Sequence, residues 1–151
     1  MAIQMSGPWA RYNEVSLSQG ELVKNFSDSV IDISKKIIDS LEFSQMEIFR
    51  HEIRVQGKNV GELFLMKNTP QKKDVTIHSL TVNGIDRGHA YGTKALLAVE
   101  RKLSKAEINN FLAVIPLMNG RGMYFLLRAG FTPSQNYDHV ELNWFIRGGQ
   151  K

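Results

Sequence analysis

Arg87-Gly88-His89-Ala90-Tyr91-Gly92-Thr93 joins a strand-like run, Val75 to Val82, to a helix-like run, Thr93 to Leu103. A basic loop of small residues that runs straight into a helix leaves backbone N–H groups unpaired at the positive end of the helix dipole. That is an anion site, and a phosphate or pyrophosphate fits it. The stretch is not a Walker loop, because Lys94 follows Thr93 and the Lys-Ser/Thr order is reversed. Nor is it a dinucleotide fingerprint, which needs a third glycine beyond Gly88 and Gly92. Taken alone, the loop also reads as a plain βα turn with Thr93 capping the helix.

Upstream of the loop, Val30, Ile33, Ile37, Ile38 and Leu41 recur at helical spacing behind Ser27 or Asp28. The pattern predicts a helix to about Leu41 whose apolar stripe faces a sheet. Met46 to Val55 alternates, with Phe49, His51, Ile53 and Val55 on one side, and Gly57-Lys58-Asn59 reads as a turn into a second strand around Gly61 to Met66. Downstream, Ala95, Leu96, Ala98, Val99 and Leu103 give a helix with one buried side, and Phe111 to Ile115 is a short apolar run of the kind found in a central strand. A second helix, Gly120 to Arg128, closes at Gly130 as a left-handed cap, and Val140 to Ile146 alternates as a last strand. The order β-hairpin, β, α, β, α, β makes a mixed α/β sheet.

At 151 residues and 42% hydrophobic content, the chain is expected to form a single domain, with residues 1–45 as a helical and irregular N-terminal part and 46–147 as the core. No apolar run reaches the roughly 20 residues of a membrane span, and the start lacks the order of a secretory signal, so a cytoplasmic protein is expected. With no cysteine there is no disulfide, thiolate ligand or cysteine nucleophile. His51, His78, His89 and His139 are scattered without the close spacing of a zinc site, and no metal is expected. A formal net charge of +4 favours an anionic partner. The cluster Arg101, Lys102 and Lys105 reads more simply as a solvated helix face than as a nucleic-acid site.

From Met46 to Arg147 the chain resembles the GNAT superfamily of acyl-CoA-dependent N-acyltransferases. The resemblance rests on two motifs in order: Leu80-Thr81-Val82, four residues, then Arg87-Gly88-His89-Ala90-Tyr91-Gly92, with Ala90 where glycine is commoner; and Asn119, Gly122, Phe125 and Gly130-Phe131. It implies a mixed, mostly antiparallel sheet flanked by helices, with a splayed central strand pair that binds acyl-CoA. Backbone N–H groups of His89 to Thr93 would cradle the CoA pyrophosphate, with Arg87 at the entrance. Leu80 and Val82 would pair through their backbones with the pantetheine arm and polarise the thioester, and Asn119 would hydrogen-bond the pantetheine region. His78, two residues before Leu80 and so on its strand face by alternation, is the candidate base.

The resemblance thus implies transfer of an acetyl group from acetyl-CoA to a primary amine by direct attack. One position departs: where the family has a tyrosine that protonates the leaving thiolate, this chain has Leu126. Tyr124 lies about 200° around the helix and does not replace it. A catalytically weak GNAT-fold CoA-binding or regulatory module is therefore the alternative, and nucleic-acid association, which only the charge suggests, is a third reading. The acceptor amine is not legible; Trp9, Tyr12 and Tyr137 are candidates to line its pocket. An exposed Val140 to Ile146 strand would pair across a homodimer, whereas covering by Met1 to Gln19 would leave a monomer.

Overall fold

The computed structural model describes residues 15–23, 47–68, 71–116, 119–134 and 142–147. The helix expected from Ser27 or Asp28 to Leu41, and Trp9, Tyr12, Tyr137 and His139, lie outside these residues. The described strands are β1 (Val15–Leu17), β2 (Glu21–Leu22), β3 (Glu47–Val55), β4 (Lys58–Lys67), β5 (Asp74–Val82), β6 (Asn110–Pro116), β7 (Phe131–Pro133) and β8 (Leu142–Arg147). Helix α1 (Tyr91–Leu103) connects β5 to β6, and α2 (Gly120–Arg128) connects β6 to β7. No described helix is long and apolar enough to cross a membrane.

The strands form one sheet in the order β1-β3-β4-β5-β6-β8-β7, with β2 beside β1 on the edge of β3. β5 and β6 are its parallel pair and every other pairing is antiparallel, so the expected mixed, mostly antiparallel sheet with flanking helices is what the chain builds. α1 is the crossover that a parallel pair requires. It packs against β1 and β5, while α2 packs against β6 and β7. Under the two helices lies the larger core, where Leu63, Leu65, Val75, Ile77, Phe111, Ala113 and Phe145 of the sheet meet Ala95, Leu96, Val99 and Leu126. The other face carries Ile48, Phe64, Met66, Leu112, Val114 and Trp144. Successive β6 residues thus go to alternate cores, which is why Phe111 to Ile115 is apolar without interruption.

Several local readings change. The hairpin turn is Gln56-Gly57, not Gly57-Lys58-Asn59: both residues have positive φ, and Val55 pairs with Lys58 across a two-residue loop. β1, β2 and β7 were not expected, because two or three residues carry no periodicity and each is held by a longer partner. β8 is bounded by β6 on one side and, over Phe145 to Arg147, by β7 on the other, so that part of it is not the open edge that the dimer alternative required. Arg147 on β8 joins three elements, donating to the Glu100 carboxylate of α1 at 2.7 Å and to the Ala129 carbonyl at the end of α2.

Two bulges bend the sheet. Val60 is an extra residue of β4 opposite Ile53 and Arg54, and its turned carbonyl accepts from Asn83 N at 2.8 Å. His78 is an extra residue of β5, because Phe64 pairs with Ser79 and Leu65 with Ile77. Next to the first bulge, Gly61 faces Val82, and a β-carbon there would run into the Thr81 carbonyl and come within 3.0 Å of Val82 Cα. Only glycine allows this approach of β4 to β5. Gly61→Ala is expected to lower stability by about 2–3 kcal/mol, the cost of overpacking a closed site; urea unfolding with an unchanged midpoint would refute the close approach.

Candidate active site

The β5–β6 ladder covers only Asp74 to Ile77 against Asn110 to Ala113. Both strands continue, β5 to Val82 and β6 to Pro116, so beyond the bulge at His78 they part and leave facing backbone edges. A cleft of about 800 Å³ opens in the gap. Ile77 to Val82 form one wall and Ala113 to Ile115 the other, with the 86–93 loop at one end and Asn119, Arg121, Phe125 and Leu126 of the α2 region across from it.

The loop is shaped to present N–H groups. Gly88 and Ala90 have φ of 92° and 60°, and Ala90 is the residue before α1, without a side-chain cap. The expected cap at Thr93 is therefore wrong: the helix begins two residues earlier, at Tyr91. The first α1 bond closes from Lys94 N to the Ala90 carbonyl at 3.0 Å, so the N–H groups of Tyr91, Gly92 and Thr93 come before any intrahelical acceptor. A left-handed residue followed by a right-handed turn aims successive N–H groups into one concavity, a nest for an anion. An alanine in the left-handed region is strained by about 1 kcal/mol, which suits a position shaped for a ligand.

Two sequence motifs meet at Gly92. Its missing β-carbon would lie 3.4 Å from the Phe125 ring and 3.5 Å from Leu80 Cδ2, so the start of α1 sits directly on α2 and β5. The Asn119–Gly122 spacing is also explained. Asn119 Oδ1 accepts from Gly122 N at 2.9 Å as the cap of α2, and a β-carbon on residue 122 would press within 2.8 Å of the Asn119 amide.

Of the residues singled out from sequence, His78, Leu80, Thr81, Val82, Arg87, Gly88, Ala90, Tyr91, Gly92, Thr93 and Asn119 line the cleft. His89 is exposed and not in its wall; it stacks on Tyr91 with ring centroids 5.2 Å apart. Arg87 donates from Nε to the Val82 carbonyl at 3.2 Å, which holds it at the end of β5. Sequence reading missed Ser79, Asp86 and Arg121 as wall residues. Asp86 is buried, with one carboxylate oxygen 3.1 Å from Lys58 Nζ and the other without a partner among the described residues. Its one signal was its place just before Arg87, and that of Arg121 its place inside the Asn119 to Gly122 turn.

His78 departs from the alternation argument. The bulge puts it opposite no residue of β4, and its ring meets Phe64 of the second core edge-on at 6.4 Å, whereas Leu80 packs against the first. It is only 7% exposed, and neither ring nitrogen has a hydrogen-bond partner among the described residues. Burial drives its pKa down from 6.5 to about 4, so the imidazole is neutral at pH 7. His51 is a different case. Its Nδ1 lies 2.8 Å from the Ser18 carbonyl, which can only accept, and burial lowers its pKa too. Leu126 is 4% exposed and lines the cleft, while Tyr124 is 63% exposed, with the Arg128 guanidinium 5.6 Å from its ring centre, and is not in the wall.

No family model and no curated protein matches the chain. Solved structures do. A GNAT family acetyltransferase from Elizabethkingia anophelis with acetyl-CoA bound has a TM-score of 0.58 at 13% identity, over 89% of this chain and 98% of that one. A Bacillus subtilis acetyltransferase in complex with CoA has 0.54 at 16%, over 87% and 98%. A Salmonella typhimurium acetyltransferase that modifies the N-terminal serine of the 50S ribosomal protein L7/L12 has 0.54 at 17%, over 66% and 63%. At these identities the likeness establishes the fold: the chain has the fold of GNAT-family acetyltransferases.

Two outcomes follow from the site geometry. Ala90→Gly should raise stability by about 0.5–1 kcal/mol, since glycine takes positive φ without strain; a loss in thermal unfolding would contradict the left-handed backbone. For His78 the folded pKa is depressed, so the unfolded chain binds the extra proton. Its contribution is complete above pH 6.5 and is lost as pH falls toward 4, by about 3 kcal/mol in all. Denaturation of His78→Leu across that window should show a clearly shallower acid loss; His51, whose pKa burial also lowers, adds to the remaining loss, and Asp74, whose pKa burial raises, opposes it.

Proposed function

We propose that the protein is an acyl-CoA-dependent N-acyltransferase that moves the acetyl group of acetyl-CoA to a primary amine. The observation that carries this reading is the parted strand pair ending on the N–H nest at Gly88 to Thr93. A thioester arm lying along β5 finds backbone groups that β6 no longer uses, and a diphosphate finds the helix start and Arg87. The acetyl-CoA and CoA complexes among the structural neighbours support this ligand class.

In the reaction the amine nitrogen attacks the thioester carbonyl, whose oxyanion is held by N–H groups of the β5 edge. The C–S bond then breaks, CoA leaves as thiolate, and the nitrogen gives up a proton. His78, at a pKa of about 4, does not take a proton from a free ammonium near pKa 10, which is uphill by about 8 kcal/mol. The acceptor therefore enters as the neutral amine, and His78 accepts only from the far more acidic cationic adduct. With Leu126 in place of a hydroxyl, the thiolate is protonated by solvent, which makes turnover slow. Leu126 also supports a second reading, a CoA-binding module without turnover.

Calorimetric titration with acetyl-CoA tests the site. Binding is expected, and Arg87→Glu with Gly92→Glu should abolish it while the fold survives; no binding by the wild type at millimolar ligand would sink the proposal. Release of free thiol with a panel of amines separates the two readings. An enzyme gives a rate that rises with pH up to the pKa of the amine and falls in His78→Ala, whereas a binding module gives no amine-dependent release.

A further inference from the structure

α1 starts at the cleft and ends about 15–20 Å away, at the opposite end of the sheet. There Arg101 and Lys102 close its last turn, and Lys105 follows in the connection, its N–H bonded to the Lys102 carbonyl. The same end receives the loop before β5. Asn109 donates its backbone N–H to the Lys73 carbonyl at 2.8 Å and its side-chain amide to the Lys72 carbonyl at 3.2 Å. Arg101, Lys102, Lys105, Lys72 and Lys73 are all exposed.

Arg50, Arg54, Lys58 and Arg147 are each in an ion pair, whereas none of these five is paired to a carboxylate among the described residues. An ordinary solvated helix face would set acids three or four residues from its cations. At those spacings before Arg101 and Lys102 within α1 stand Leu97, Ala98 and Val99, none of them an acid. The helix dipole accounts for Arg101 and Lys102, but not for Lys72 and Lys73, which belong to a different segment. Lys73 is also held at φ 67°, a left-handed backbone, by the bond from the Asn109 N–H to its carbonyl and by Asn68 Oδ1 accepting from its N–H at 3.0 Å. Two segments thus bring five exposed cations to this end of the sheet, where Glu107 of the connection is an exposed acid and Asp74, next to Lys73, is buried with its carboxylate accepting from the Asn110 amide.

We propose that this end of the molecule docks on the phosphate backbone of nucleic acid, apart from the cleft and whatever the cleft binds. Phosphates are favoured over an acidic protein because a stable protein interface needs a buried apolar or aromatic centre, and backbone binding needs only cations. Among the described residues the exposed large apolar side chains, Leu22, Ile85, Tyr124 and Leu127, all lie on other segments. Lysines dominate the cluster, and lysine meets phosphate as a point charge without reading sequence.

Fluorescence anisotropy of the full chain with a short labelled DNA duplex tests the proposal. With about four phosphate contacts, binding should weaken about a hundredfold between roughly 50 and 200 mM salt and be indifferent to base sequence. Lys72→Gln, Lys73→Gln, Lys102→Gln and Lys105→Gln together should remove most of the affinity and flatten the salt dependence, with an unchanged circular dichroism spectrum. Saturating acetyl-CoA should leave the duplex bound. The proposal is overturned by absence of duplex binding at low salt, by binding that survives the four substitutions, by displacement of the duplex by acetyl-CoA, or by binding of polyglutamate in preference to the duplex.

Discussion

The parallel ladder between β5 and β6 is four residue pairs long, and the rest of the site depends on where it stops. A parallel pair buried between two cores normally satisfies every backbone group along its length, because an unpaired buried N–H or C=O costs as much as a lost hydrogen bond. Here the extra residue at His78 turns β5 away from β6 while β4 follows it and β8 holds β6 in place. The parting leaves two polar strand edges in an otherwise apolar wall. Such a gap persists where a ligand or water supplies the missing partners.

The wall is then closed by contacts that tolerate little change. Gly92 lets α1 begin against both Phe125 and Leu80, so the 86–93 loop is fixed relative to α2 and β5 by one residue without a side chain. Gly61 performs the same service on the other side of β5. Arg147 binds the far ends of α1 and α2 to β8, so the two helices that flank the cleft are tied at the back while their N-termini face the gap. The left-handed Ala90 and His78, whose ring nitrogens have no hydrogen-bond partner among the described residues, both line the cleft.

Much of this was legible in the amino-acid order. The spacing from Leu80-Thr81-Val82 to Gly92, and from Asn119 to Gly130-Phe131, located the loop and both helices, because those positions answer to local geometry: small residues at a close approach, an asparagine cap, a left-handed glycine. The strands β1, β2 and β7 were not legible, since they exist only through pairing with β3 and β8. The bulges were also hidden. Alternation assumes a period of two, and one inserted residue moved His78 from the face of Leu80 to that of Phe64. Thr93 looked like a cap because threonine favours caps, but a left-handed Ala90 started the helix first.

The sequence by itself determined the order of the longer elements, the uninterrupted apolar strand at the centre and the small-residue loop before α1, all of which follow from contacts within a few residues. Tertiary structure alone decided that β5 and β6 part, that Gly92 joins the two motifs, that His78 is buried and neutral, and that lysines from two segments share one end of the sheet. Each of these depends on residues brought together from distant parts of the chain, and no local preference encodes where a partner strand will stop.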